Sequence, residues 1–131
     1  MAVACYNRLV PHTENGSADR ALTSLVATLD ECVGELERAR ERASVLLDQR
    51  RAGQTWEEIV SAEERPLVVE SISTVLGALA TTGSVWRREQ AAALQGENVS
   101  INRIAAMFGV TRQRISALLR ERDDEAAVST E

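Results

Sequence analysis

The sequence predicts an all-α fold, in which a long N-terminal amphipathic helix precedes a helical bundle that ends in two short helices. Apolar residues recur at intervals of three and four, which is the spacing of one helix face. Glycines and capping residues separate these periodic stretches, and no stretch of strand length alternates apolar and polar residues. The chain of 131 residues is 44% hydrophobic and 27% charged with two prolines, a composition typical of a soluble helical protein.

Residues 1–17 lack helical periodicity and contain Pro11, Asn15 and Gly16, so we expect a flexible arm. The first ten residues lack the apolar core of a secretory signal. The longest apolar run, Leu67 to Ala80, is shorter than the ~20 residues that span a membrane and is interpreted as a buried helix. A cytoplasmic location without a membrane partner is therefore expected.

Residues 18–53 predict one long helix with a heptad pattern. Apolar residues alternate at intervals of three and four, a seam typical of coiled coils, at Leu22, Leu25, Leu29, Cys32, Leu36, Ala39, Ala43 and Leu46. A helix of about 35 residues is near 50 Å long, more than a domain of this size covers. We therefore predict a homodimer through the five leucines of the seam. The alternative is that the seam packs against later helices of the same chain.

Residues 54–122 are predicted to form a helical domain. Gly53 ends the long helix, and the spacing of Thr55 and Glu58 matches a capping box, which predicts a short helix after it. Pro66 suits the first turn of the next helix. That helix is expected to be the central post of the bundle, because its apolar residues cover most of its circumference, at Val68, Val69, Ile72, Val75, Leu76 and Leu79.

Gly83 is predicted to end the central helix and Ser84 to cap a further one, which Gly96 and Asn98 end. Ser100 then caps the helix Ile101 to Phe108. Gly109 can take the left-handed conformation that redirects the chain, and Thr111 caps the last helix. The positions facing inward on these last two helices are Ile104, Ala105, Phe108, Ile115, Leu118 and Leu119.

Positive charge is concentrated near these last helices. Residues 84–122 contain seven Arg and three acidic residues, a balance of +4, although the whole chain carries −5. All fifteen basic residues are Arg, whose planar fork suits phosphate and guanine. Residues 123–131 are acidic and are predicted to be a disordered, solubilising tail.

The segment Ile101 to Arg120, INRIAAMFGVTRQRISALLR, resembles the two-helix core of bacterial helix-turn-helix transcription regulators. That family has a glycine in the turn, a small residue four positions before it, and buried aliphatic residues five or six and eight or nine positions after it. Ala105, Gly109, Ile115 and Leu118 match this pattern. The resemblance covers 20 residues directly and places a helix-turn-helix at 100–122.

The resemblance implies that the helix Thr111 to Arg122 enters the major groove of double-stranded DNA. Arg, Gln and small side chains can read base edges there, and the readers would be Arg112, Gln113, Ser116 and Ala117. Phosphate contacts are expected from Thr111, Arg114 and Arg120, and from residues on earlier helices, namely Arg103, Arg87 and Arg88. The arginines on earlier helices are equally compatible with a solvated surface.

The sequence thus predicts a homodimeric, sequence-specific transcription regulator located with the nucleoid. Two alternatives remain open: a nucleoid-associated architectural DNA-binding protein, and a helical protein-interaction module that binds a partner of the transcription machinery. An enzyme is not expected, because His12 is alone and no phosphate-binding loop or metal-ligand spacing occurs. We expect no cofactor and no metal. Cys5 and Cys32 are interpreted as structural or incidental.

Overall fold

A computed structural model describes residues 15–129 of the chain. The described residues form five helices and no strand, namely α1 (Asn15–Arg51), α2 (Trp56–Ala62), α3 (Val68–Gly96), α4 (Ile101–Phe108) and α5 (Arg112–Ser129). The all-α prediction is therefore confirmed. Residues 1–14 of the predicted arm, with Cys5 and His12, lie outside the described residues.

Helix α1 begins at Asn15, three residues earlier than predicted, so residues 15–17 belong to the helix and the predicted arm is wrong there. The buried Ala18 and Ala21 anchor these first turns. At its other end, the helix stops at Arg51 and Gly53 takes a φ of 101°. The predicted glycine stop is confirmed, since only glycine adopts this backbone conformation without strain.

Helix α2 starts with the predicted capping box. The amide of Glu58 donates to Thr55 Oγ1 at 3.2 Å, and the amide of Thr55 donates to Glu58 Oε2 at 3.1 Å. Of its apolar residues only Ile59 is buried, while Trp56 and Val60 are exposed. The helix is therefore well capped but attached to the protein through a small apolar contact.

Helix α3 runs without interruption from Val68 to Gly96. The predicted helix end at Gly83 and the new cap at Ser84 are wrong. A glycine inside a helix costs only about 1 kcal/mol relative to alanine, and no proline follows to remove a backbone hydrogen bond. The predicted end near Gly96 is confirmed, since Asn98 takes a left-handed φ of 65° just beyond it.

The start of α3 differs from the prediction as well, because Pro66 precedes the helix by two residues. Two carboxylates take the place of a first-turn proline. Glu63 Oε1 accepts from the amide of Val68 at 2.8 Å, and Glu70 Oε2 accepts from the amide of Leu67 at 3.0 Å. These bonds satisfy amides that have no partner inside the helix.

The interpretation of α3 as the buried central helix of the bundle is wrong. Val75 is buried, but Val69, Ile72 and Leu76 are exposed. The helix is also long and apolar enough to cross a membrane, judged by length and composition alone, since its best 18-residue window has a mean hydropathy of 1.3 and is 6% buried. One such helix is weak evidence for a membrane protein. In unit 2 its exposed apolar residues are Val69, Ile72 and Leu76.

The chain divides into two compact units, and their limits fall inside α1 and α3 rather than at the predicted boundaries. Among the described residues, unit 1 comprises 15–25 and 82–129, and unit 2 comprises 26–81. Unit 1 has a core of side chains that are at most 6% exposed, namely Ala91, Ile104, Ala105, Ile115 and Leu118. The buried apolar residues of unit 2 are fewer and scattered, namely Cys32, Ala39, Ile59 and Val75.

Helix α5 continues through the acidic residues that were predicted to be disordered. Arg88 makes two hydrogen bonds to the carboxylate of Glu125, at 2.9 and 2.7 Å, and Arg122 Nε donates to Glu89 at 2.9 Å. These ion pairs hold the second half of α5 against α3 within unit 1. The disordered-tail prediction is therefore wrong for residues 123–129, and residues 130 and 131 lie outside the described range.

Candidate nucleic-acid interface

The connection between α4 and α5 is a tight turn built on Gly109. Its φ and ψ of 67° and 33° are left-handed, and its amide donates to the carbonyls at the end of α4. The amide of Val110 donates to Ala105 O at 3.0 Å, which completes the bonding pattern of a glycine-terminated helix. Two residues after Gly109, Thr111 Oγ1 accepts from the amide of Arg114 at 3.2 Å and caps α5.

A common core holds the two helices at a fixed angle. Ile104 from α4 and Ile115 and Leu118 from α5 are almost completely buried, together with Ala91 of α3. Partly buried side chains surround them, namely Leu94, Val99, Ile101, Phe108, Val110 and Leu119. Because close-packed side chains leave little freedom, the outward side of α5 is presented by a rigid base.

Four side chains on the outward side of α5 surround a shallow concavity of about 330 Å³, and we call them the α5 face: Arg112, Gln113, Ser116 and Arg120. They span about 100° of the helix circumference. In the described part of the chain, the side chains of Arg112, Gln113 and Arg120 form no ion pair or hydrogen bond. The face therefore presents two guanidinium groups, a carboxamide and a hydroxyl to the solvent.

The other residues predicted on α5 lie around this face. Ala117 is half-buried at its edge, and Thr111 is exposed where it caps the helix. Arg114 lies on a different side of α5, half-exposed, with its guanidinium 4.0 Å from Glu121. The structure thus separates Arg114 from the α5 face and brings Arg120, predicted only as a phosphate contact, into it.

Of the arginines on earlier helices, Arg103 is exposed on α4, and Arg87 of α3 lies with its guanidinium 5.7 Å from the ring centroid of Phe108. Arg88 is different, because its side chain is 11% exposed and bound by Glu125. Its predicted phosphate contact would require breaking this ion pair. The local sequence does not indicate the ion pair of Arg88 with Glu125, since the two residues are 37 positions apart.

The predicted dimerisation leucines do not share one environment. Leu22, Leu29 and Leu36 are exposed, whereas Leu25 and Leu46 are half-buried in line with the buried Cys32 and Ala39. The chain therefore covers one side of the seam itself. The exposed side in unit 2 is called here the α1 stripe, and it consists of Val26, Leu29, Val33, Leu36 and Leu47.

Unit 2 also contains a cavity of about 290 Å³ that the sequence did not predict. It is lined by Arg42, Val45, Leu46, Gln49, Ile59, Ala62, Glu63, Glu64 and Val68. The Arg42 guanidinium donates to Glu64 O at 2.8 Å and to Pro66 O, so it fastens the loop beside the cavity to α1. Among the residues the structure describes, no group of three or more His, Cys, Asp or Glu is placed to hold a metal.

No protein-family model, curated protein or solved structure matches this chain. The assignment of a function therefore depends on the chemistry and geometry of the chain's own residues.

Proposed function

We propose that the protein is a sequence-specific transcription regulator that binds double-stranded DNA as a homodimer in the bacterial cytoplasm. In this proposal α4 and α5 are a helix-turn-helix and α5 enters the major groove. The observation that carries the proposal is the α5 face, whose Arg112, Gln113 and Arg120 have no partner in the described part of the chain. The opposite side of the helix is packed into the core through Ile115 and Leu118.

The α5 face has the chemistry that base recognition requires. An Arg guanidinium can donate two hydrogen bonds to O6 and N7 of guanine, and a Gln carboxamide can pair with N6 and N7 of adenine. Arg112 and Gln113 lie in the first turn of α5, the part of a recognition helix that meets base edges. We place Arg120 with these readers, because it lines the same concavity, and Ala117 at the edge, where it meets a thymine methyl.

Phosphate binding is assigned to Arg114, Arg103, Arg87 and the N-terminal end of α5 at Thr111. Such contacts fix the register of a protein on DNA without reading sequence. Arg88 is left out of this set because Glu125 already binds it. Arg87 and Arg103 are exposed and form no ion pair in the described part of the chain, which supports this assignment, since phosphate neutralisation dominates affinity for duplex DNA.

The first test is selection of bound sequences from a random duplex pool at about physiological salt, which reports binding, motif and half-site spacing together. We expect a short motif in two copies. Occupancy of many sites with weak base preference would instead indicate an architectural nucleoid protein. Failure to bind any duplex at low ionic strength would refute the proposal.

The second test separates base reading from phosphate binding. Gln113→Ala should relax base preference at one position of the motif at a cost of about 1–3 kcal/mol, whereas Arg114→Ala should weaken binding to all duplexes and lower the salt slope by about one. Gln95→Ala and Arg40→Ala are the matched controls, because both residues are exposed and neither belongs to the α5 face. An unchanged motif with Gln113→Ala would refute direct readout by that residue.

A second function, binding of a protein partner, is favoured by unit 2. Eleven of the fourteen large apolar side chains that are exposed in the described chain belong to this unit. Exposed apolar surface of this extent is typical of interaction sites. A protein that acts only in this way would show no salt-dependent binding to duplex DNA, so a salt titration distinguishes the two functions.

A further inference from the structure

Helix α3 contains a long segment without charge. No acidic or basic residue occurs between Glu70 and Arg87, a stretch of 16 residues. In unit 2 part of this stretch is in contact with solvent, because Ile72 and Leu76 are 40% and 61% exposed, and Val69 just before it is 65% exposed. The solvent side of a surface helix normally carries charged residues. This side of α3 therefore has the character of a surface that another molecule covers.

The exposed apolar residues of α3 lie together. At about 100° per residue, Val69, Ile72, Ser73, Leu76 and Ala80 fall within roughly 100° of the circumference, and we call them the α3 face. Its one hydroxyl, Ser73 Oγ, donates to Val69 O at 3.0 Å. Burial of the face thus leaves no polar side chain without a hydrogen bond, which would otherwise be costly.

The charged residues on and beside the two apolar surfaces of unit 2 indicate which of them suits contact with a second copy of the chain. In a two-fold dimer both copies use the same patch, so charges near the axis, or along an edge that meets itself, face charges of the same sign. The α1 stripe fits this poorly. Arg40 lies on its centre line between Leu36 and Leu47, and an acidic edge flanks it, formed by Asp30, Glu37 and Asp48. Two parallel stripes would bring the Arg40 side chains together, and two antiparallel stripes would oppose their acidic edges.

We propose that the α3 face, rather than the α1 stripe, binds the same face of a second copy of this chain across a two-fold axis. No charge in the α3 face opposes such a contact. A lipid bilayer is a poorer occupant, because Val75 of the same stretch is buried by the chain and cannot contact lipid. The inference names the contact surface of the dimer in the proposed function and rests on that part of it.

The size of the face sets the strength of this dimer. Residues 69–80 extend about 18 Å along the helix at 1.5 Å per residue, which is small for the roughly 800 Å² per partner that a typical stable interface buries. We therefore expect a dimer that dissociates on dilution. Two half-sites on one DNA duplex would favour its association.

Sedimentation of the full chain without DNA, over a range of concentrations, tests the proposal. The mass should rise from 14.3 kDa toward twice that value. Leu76→Glu should shift the dissociation concentration upward by more than about tenfold, because like charges then meet. Leu47→Glu is the matched control in the α1 stripe and should leave the dimer intact. Helical content from circular dichroism confirms that both variants fold.

A charge-complementation experiment provides the second measurement. Leu76→Lys alone should dissociate at a similarly raised concentration, because two positive charges then meet. Mixing it with Leu76→Glu should restore association, because opposite charges then meet. A monomeric wild-type chain at every concentration, dissociation by Leu47→Glu but not Leu76→Glu, or flotation of the wild-type chain with lipid vesicles would each overturn the proposal. The sedimentation and mixing experiments contain no DNA. A chain that binds no duplex in the separate selection experiment would refute the proposed DNA binding and leave the dimer through the α3 face unaffected.

Discussion

In unit 1 apolar side chains of three helices converge on one core, whereas in unit 2 most of the large apolar side chains are exposed. Ile104, Ile115 and Leu118 of unit 1 are almost inaccessible. The apolar residues that unit 2 buries include the small Cys32 and Ala39, and large ones such as Trp56, Val69 and Leu76 remain exposed.

This difference is consistent with the two proposals made for the units. Unit 1 leaves only three large apolar side chains exposed among the described residues and presents charged and polar ones, which suits the hydrated, charged duplex of the proposed function. Unit 2 leaves unsatisfied apolar surface, which suits another protein surface. The four predictions below test this comparison, from the largest expected effect to the smallest.

Replacing Leu118 by alanine should cost about 2–5 kcal/mol of the free energy of unfolding, because a filled core position would become a cavity. The matched change Leu47→Ala in unit 2 should cost about 1 kcal/mol or less, since that side chain is already 46% exposed and burial of a whole Leu is worth ~1.5–3 kcal/mol. Urea denaturation at a concentration where the chain is monomeric measures both. Equal costs would contradict the difference in packing between the units.

Two glycine substitutions should change stability in opposite directions. Gly109→Ala places a Cβ at a φ of +67° and should destabilise the protein by about 1–2 kcal/mol. Gly77→Ala lies within α3, where no atom is within 4 Å of the added Cβ, and should stabilise the monomer by roughly 0.5–1 kcal/mol. Thermal denaturation shows whether each substitution raises or lowers the stability. A Gly109→Ala protein as stable as the wild type would argue against the left-handed turn.

Removal of the two threonine caps should lower the free energy of unfolding by similar amounts, but the affected amides should cover different parts of the chain. Thr55→Ala and Thr111→Ala should each cost about 1 kcal/mol. Hydrogen exchange should show the first effect confined to α2, a helix of seven residues with one buried side chain. The second should spread to the amides around Ile104 and Ile115, because the capped helix is part of the core. A spread of the Thr55→Ala effect beyond α2 would show that unit 2 is more cooperative than its burial indicates.

The ion pair of Arg88 and Glu125 should contribute about 1 kcal/mol of coupling in a double-mutant cycle, since it is bidentate and one partner is nearly buried. The exposed pair of Arg38 and Glu35 on α1 is the control and should give about 0.3–0.5 kcal/mol. Coupling energies from urea denaturation provide the comparison. A zero value for Arg88 and Glu125 would mean that the second half of α5 is held by other contacts.

Most helix ends could be predicted from the sequence. The capping box at Thr55, the stops at Gly53 and Gly109, and the end of α3 beyond Gly96 all agree with the structure. Each depends on bonds between residues at most five positions apart. The false stop at Gly83 follows the same local rule, but there the cost of a glycine is small enough for the surrounding helix to continue.

The candidate site was predicted less completely. The α5 face contains three of the four predicted base readers, Arg112, Gln113 and Ser116, and adds Arg120. Helical periodicity suffices to group these residues, because they lie on one helix. The loss of Arg88 to Glu125 could not be anticipated, because it depends on how α5 packs against α3 rather than on the neighbours of either residue.

The sequence alone determined that the chain is helical, where most helices begin and end, and that arginines outnumber acidic residues over 84–122, since propensity and capping act between near neighbours. The tertiary structure decided which apolar residues are covered. The periodicity of α1 and α3 marks sides suited to burial, but only packing across distant parts of the chain covered Cys32 and Val75 and left Leu36 and Leu76 in solvent. Coverage depends on how much surface the rest of the chain can supply, and in unit 2 the chain supplies too little.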